Sequence, residues 1–193
     1  MPFTLQLGDS APDFDLPGVD GRFYSLQNFA DARILVIAFS CVHCPYVVGS
    51  EERMMAFQAC YGEQNVAFVA MNSNAKTTYA DDSLQGMTER ARQRGFQFPF
   101  LHDETQQVAL DYGALKTPHY FVFDEERKLR YTGRMDDNPR HPGLETTSEL
   151  RDAVDALLQG RAVEIPLTNP IGCNVKWAGK DKHWMPADAC DIV

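Results

Sequence analysis

The chain has 193 residues and a mass of 21.7 kDa, with 18 Lys plus Arg against 27 Asp plus Glu and a formal net charge of −9. That size suits one domain with or without a tail, large enough to bury a core that needs no disulfide or metal. The acidic balance argues against a nucleic-acid or anionic-membrane partner, and no apolar run approaches the ~20 residues of a membrane helix.

Met1-Pro2-Phe3-Thr4-Leu5-Gln6-Leu7-Gly8-Asp9 carries no basic n-region and no long h-region, so a cytoplasmic location is expected. Pro12, Pro17, Gly18 and Gly21 break the first 25 residues into turns. Asp20-Gly21 between two short alternating stretches is a hairpin signal. Residues 34–39 form a continuous apolar, β-branched run, as in a central strand buried on both faces. From Cys44 to about Tyr61 the period becomes helical, with Gly62 as the stop. Residues 66–71 read as a second buried strand. Ser83 reads as the N-cap of a helix through Arg94, followed by Gly95. Residues 98–101 are extended, and Asp103 or Thr105 caps a helix that runs through Tyr112 to Gly113. Strand 119–123 and residues 128–134 make a late hairpin. Leu150, Val154, Leu157 and Leu158 give the last helix its apolar stripe, with Gly160 as its end. From Arg161 on, an irregular tail lies over the domain. The order implies an α/β fold with a mixed central sheet flanked by helices, an N-terminal β-hairpin and a C-terminal tail.

There are five cysteines, Cys41, Cys44, Cys60, Cys173 and Cys190. An odd number does not suit a disulfide framework. Ser40-Cys41-Val42-His43-Cys44-Pro45 follows the central strand and opens the first long helix. A Cys-x-x-Cys pair at a helix N-terminus can close a small disulfide, and the helix dipole there stabilises a thiolate. His43, as an imidazolium, would stabilise it further and make the pair a stronger oxidant. Cys41, nearer the helix start and expected to be the more exposed, is read as the attacking thiol, and Cys44 as the resolving one. A zinc site needs two more ligands, and no second paired motif supplies them. No metal or cofactor is therefore expected. Pro45 after the second Cys removes a c-type haem site.

Lys116-Thr117-Pro118-His119 precedes a strand, where proline is unusual outside an edge or a special turn. A cis-Pro118 would set backbone groups against the sulfur pair. The bland alternative is an ordinary trans proline in a turn. Cys60 is read as core, and Cys173 as a small packed residue that has a second role open to it, electron shuttling. Cys190-Asp191-Ile192-Val193 fits a prenylation signal in form alone, because its second residue is acidic and no polybasic stretch precedes it. His102, His141 and His183 are read as surface or loop residues, and Arg90 to Arg94 as a basic patch suited to a helix C-terminus.

These stretches together resemble the thioredoxin-like superfamily, and more closely its peroxiredoxin-like redoxin branch. The resemblance rests on Gly8-Asp9-Ser10-Ala11-Pro12-Asp13-Phe14, on Phe39 through Pro45, and on Met71-Asn72-Ser73-Asn74 with Asp82-Ser83. It continues through Phe98-Pro99-Phe100-Leu101, Thr117-Pro118, Gly133-Arg134-Met135-Asp136-Asp137 and Ile171-Gly172-Cys173-Asn174-Val175-Lys176-Trp177. It implies a thioredoxin-like redoxin domain over residues 1–177 with a tail over 178–193. It also implies a thiol-disulfide oxidoreductase with Cys41 as nucleophile, Cys44 as resolving thiol and Thr117-Pro118 as the cis-proline pair. Protein or small-molecule disulfides would be the substrates and a thiol the reductant.

The chain also departs from its relatives. Leu35 stands where thioredoxins carry a buried Asp, and Val47 where some relatives carry a Glu. Proton relay to Cys44 is left to His43 or water. Peroxiredoxins keep Thr-x-x-Cys and an Arg near the later strand. Here Cys41 replaces the Thr, Cys44 takes the peroxidatic place and His119 stands instead of Arg. Reduction of hydroperoxides is the alternative reading, and a metal-binding redoxin module is a third.

Overall fold

The computed structural model describes residues 3–186 and 189; Cys190 and the motif it heads lie outside the described residues. Two short strands, β1 (Asp15–Pro17) and β2 (Phe23–Ser25), form the N-terminal antiparallel hairpin. The central sheet is built from β3 (Ile34–Ser40), β4 (Val66–Asn72), β5 (Phe100–His102), β7 (His119–Phe123) and β8 (Leu129–Gly133), in the order β5-β4-β3-β7-β8. The pairs β3–β4 and β4–β5 are parallel, while β3–β7 and β7–β8 are antiparallel. The mixed sheet with an antiparallel edge matches the order read from the sequence.

Every residue of β3 is buried. Successive side chains of a strand point to opposite faces, so its sequence alternates between two cores. Ile34, Val36 and Ala38 pack with Met54, Phe57, Leu150 and Val154. Leu35, Ile37 and Phe39 pack with Val108, Tyr112, Phe14 and Trp177. The helices α2 (Glu51–Tyr61), α3 (Leu84–Arg94) and α5 (Glu149–Leu158) cover the first face. The helix α4 (Gln107–Tyr112), the hairpin and the C-terminal segment cover the second.

Several local expectations need correction. The helix expected from Cys44 to Tyr61 is two pieces, α1 (Pro45–Val48) and α2, broken at Gly49 and Ser50. A Cβ at Gly49 would lie 2.3 Å from the Pro139 carbonyl oxygen, and the Ser50 hydroxyl donates to the Tyr46 carbonyl at 2.8 Å. The loop at 138–140 thus packs where a straight helix would need a side chain. Helix α4 starts at Gln107 with Gln106 at the N-cap position, the Thr105 hydroxyl accepts the Gln107 N–H at 3.3 Å, and its first turn is also served by Asp103. Its carboxylate takes the Ser73 hydroxyl at 2.8 Å and the Ala109 N–H at 2.9 Å. Cys60 is exposed rather than core. His102 is buried rather than on the surface. Arg90 and Arg94 are not a free patch, since both guanidinium groups close on the buried carboxylate of Glu51, at 2.7 and 2.9 Å. Ser83 does cap α3, accepting from the Gly86 N–H at 3.2 Å.

The C-terminal segment is tied down. Its strand β9 (Cys173–Asn174) pairs antiparallel with β6 (Lys116–Thr117), Thr117 opposite Cys173. The Lys176 N–H donates to Asn74 Oδ1 at 2.8 Å, and Gln106 Nε2 donates to the Lys176 carbonyl at 2.9 Å. Asn74 belongs to the Met71–Asn74 stretch and Lys176 to the Gly172-Cys173 stretch, so the two motifs meet in space.

A buried dithiol site at the sheet's carboxyl edge

The site lies where β3 and β4 end, the usual place for ligand chemistry in parallel α/β sheets. Ser40 and Asn72 are register partners at that edge. Cys41 follows Ser40, and Cys44 is the N-cap of α1 with Pro45 in its first turn. The Cys44 N–H donates to Cys41 Sγ at 3.4 Å. The Thr117–Pro118 peptide is cis. Thr117 faces both sulfurs, with its hydroxyl 3.5 Å from Cys41 Sγ and its carbonyl 3.2 Å from Cys44 Sγ. The five residues singled out from the sequence, Cys41, His43, Cys44, Thr117 and Pro118, therefore come together.

The electrostatics differ from the expectation. Cys41 is only 2% exposed and Cys44 0%. Burial pushes the Cys41 thiol well up, aided by its hydrogen bond to Cys44 and by the nearby Asp82 carboxylate. A lowered, exposed Cys41 is not what the fold builds. Cys44 is the sulfur held far below the ordinary thiol range. The neighbouring Cys173 and Cys41 thiols and the Cys173 backbone favour its charged form. As a thiol, Cys44 would instead donate to the Thr117 carbonyl.

Sequence reasoning missed Asp82. It is completely buried, in a short 3-10 turn at Ala80–Asp82 just before α3. Its Oδ1 takes the Val42 N–H at 3.2 Å and the Asn72 amide at 2.9 Å. Its Oδ2 lies 2.8 Å from His43 Nδ1, close enough for an ion pair though off the line of a good hydrogen bond. The His43 ring stacks on Tyr79 with centroids 3.7 Å apart. Cys41, His43 and Asp82 bring a sulfur, a ring nitrogen and a carboxylate oxygen within 4.8 Å of one another. A buried Asp thus returns to the site from another element. The one signal for it was its place in the Asn72…Asp82-Ser83 stretch.

His119 and Arg134 do not join the sulfurs. The buried His119 ring accepts the Leu115 N–H at Nδ1 and meets the Thr132 hydroxyl at Nε2, 3.2 and 3.0 Å away. Arg134 is paired with Glu149.

A mixed five-stranded sheet, an N-terminal hairpin and a Cys-x-x-Cys pair beside a cis-proline define a thioredoxin-like protein. The Redoxin family model matches residues 6–153, and the chain belongs to that family. It is similar over most of its length to two solved proteins at 38% identity and a TM-score of 0.86. One is a hypothetical protein of Sinorhizobium meliloti 1021, with 92% of this chain and 97% of that one covered. The other is an uncharacterized conserved protein of Geobacillus kaustophilus, with 93% and 96% covered. Peroxidoxin BcpB of Mycobacterium tuberculosis shares the fold, at 19% identity, a TM-score of 0.58 and coverage of 80% and 95%. No curated protein matches the chain. The family gives the protein a thiol-based redox function. Among the described residues, no helix is long and apolar enough to cross a membrane.

Proposed function

We propose that the protein is a thiol-disulfide oxidoreductase whose Cys41 and Cys44 cycle between dithiol and disulfide. The observation that carries this reading is the Cys41–Cys44 pair at a helix N-terminus, with the Cys44 N–H on Cys41 Sγ and Thr117 facing both sulfurs. In the reduced state Cys44 holds the charge and Cys41 the proton. Passing that proton from Cys41 to Cys44 produces the Cys41 thiolate, which attacks one sulfur of a protein or small-molecule disulfide. The departing thiolate takes a proton from Cys44. Cys44 then attacks Cys41 Sγ, releases the second substrate thiolate to be protonated by water, and leaves the Cys41–Cys44 disulfide. A thiol reductant restores the pair. Asp82 and Tyr79 hold His43 beside Cys41 throughout.

The test is turnover of a small disulfide with dithiothreitol as reductant. Cys41→Ser and Cys44→Ser are both expected to abolish catalysis above the free-thiol rate. Wild-type turnover in Cys41→Ser contradicts the reading.

One observation favours a second reading. Cys44 is the charge-bearing sulfur and occupies the peroxidatic position, which suits direct attack on a hydroperoxide. Stopped-flow oxidation by hydrogen peroxide decides between them. A rate far above that of a free thiol, lost in Cys44→Ser, supports the peroxidase.

A further inference from the structure

We propose that Cys173 is a third redox thiol of this site, which takes over the disulfide from Cys41 by exchange at Cys44. The inference rests on the dithiol cycle proposed above and extends it to the path by which electrons enter.

Three observations converge on it. Cys173 packs against the buried cluster that contains Cys41 and Cys44. The position is fixed by strand pairing, since Cys173 is the register partner of Thr117, whose carbonyl lies 3.2 Å from the Cys44 sulfur. The approach depends on Gly172, where a Cβ would fall 2.2 Å from the Thr117 oxygen and 2.6 Å from its carbon. The tail strand thus sits directly on the backbone beside Cys44, and any larger residue before Cys173 pushes it away.

Exposure supplies the reason for a third thiol. Cys41 and Cys44 are buried, while Cys173 is half-buried. A reductant that must touch sulfur meets Cys173 more readily than either partner. Thiol exchange needs a thiolate in contact with a disulfide sulfur. In the oxidised protein the Cys173 thiolate, its proton given to solvent, attacks Cys44 Sγ. The Cys44–Cys173 bond forms, the Cys41–Cys44 bond breaks, and Cys41 leaves as a thiolate that takes up a proton. Cys41 is reduced by the two electrons Cys173 gives, and the protein's total oxidation state is unchanged. An external thiol attacking Cys173 then frees the Cys44 thiolate, and a second one releases Cys173 as a thiol and leaves the external pair as a disulfide.

Peptide mapping of full-length protein after oxidation with glutathione disulfide and acid quenching tests the step. In Cys41→Ser, the expected product links the Cys44 and Cys173 peptides. Cys44 found only free or joined to glutathione overturns the proposal. The same map of partly oxidised wild-type protein covers the case in which that variant does not fold. It is expected to contain both the Cys41–Cys44 and the Cys44–Cys173 links, and a complete lack of the second overturns the proposal. Cys173→Ser separates this failure from that of the underlying cycle, because it still forms Cys41–Cys44 if the cycle is right and forms no link if the cycle is wrong.

Discussion

The buried Asp82 carboxylate lies 2.8 Å from the His43 ring while its other oxygen holds the Val42 N–H. One acid therefore grips both residues between the two cysteines. Its negative charge opposes ionisation of Cys41. Replacing Asp82 with Asn keeps an acceptor for Val42 and removes the charge. The Cys41 thiol of Asp82→Asn is expected to ionise at lower pH, as read by the pH dependence of its alkylation in a Cys173→Ser background. An unchanged or raised titration contradicts the assignment. Asp82→Ala strands the Val42 and Asn72 donors, and a loss of about 1–3 kcal/mol in denaturant unfolding is expected.

Gly172→Ala tests the seating of the tail. Its methyl group meets backbone rather than a flexible side chain, so the strand must shift. A cost of about 1–3 kcal/mol follows from overpacking. The displaced Cys173 no longer favours the charged form of Cys44, so the Cys44 thiol should ionise at higher pH. Native stability together with native Cys44 reactivity would show that the close approach is absent.

Stability should fall in mild acid because of His119. Burial lowers its folded value from 6.5 to about 3. Between those values the unfolded chain binds a proton that the folded protein does not, so stability rises with pH in that window. His102 is shifted in the same direction by burial. Linkage for His119 alone puts the loss at about 2 kcal/mol on going from pH 7 to pH 5. Urea unfolding at the two pH values, with His119→Asn as comparison, measures it. The variant should show a flatter profile, and an equal slope in both proteins contradicts the account.

Glu51 offers a test away from the sulfurs. Its carboxylate is buried between Arg90 and Arg94. The arginine side chains are 25% and 33% exposed, so water partly compensates them when the acid is removed. Glu51→Ala should cost roughly 1–3 kcal/mol, below the full penalty for breaking a buried pair. It should leave disulfide exchange unchanged, since α2 and α3 meet outside the dithiol site. Loss of exchange at full stability would show an unexpected link.

Much of the fold was legible because its signals are local. The apolar runs at 34–39 and 66–71, the Ser83 cap and the glycine stops each fix a short stretch of chain. The sulfur pair and Thr117-Pro118 were legible for the same reason, as compact motifs. What escaped depended on distant partners. Asp82 reads as a polar residue in a turn until β4 brings Asn72 to it. The break at Gly49 needs the loop at 138–140. The exposure of Cys60 and the burial of His102 depend on which face of an element meets the core. The reversal of charge between Cys41 and Cys44 needs Cys173, a hundred and more residues away along the chain.

The most direct test is redox titration of Cys173→Ser protein in glutathione buffers, with alkylation and mass analysis of each cysteine. The account predicts that Cys41 and Cys44 lose reactivity together in a two-electron transition, at a potential between about −270 and −120 mV. Cys41 and Cys44 both alkylated at every poise would contradict it.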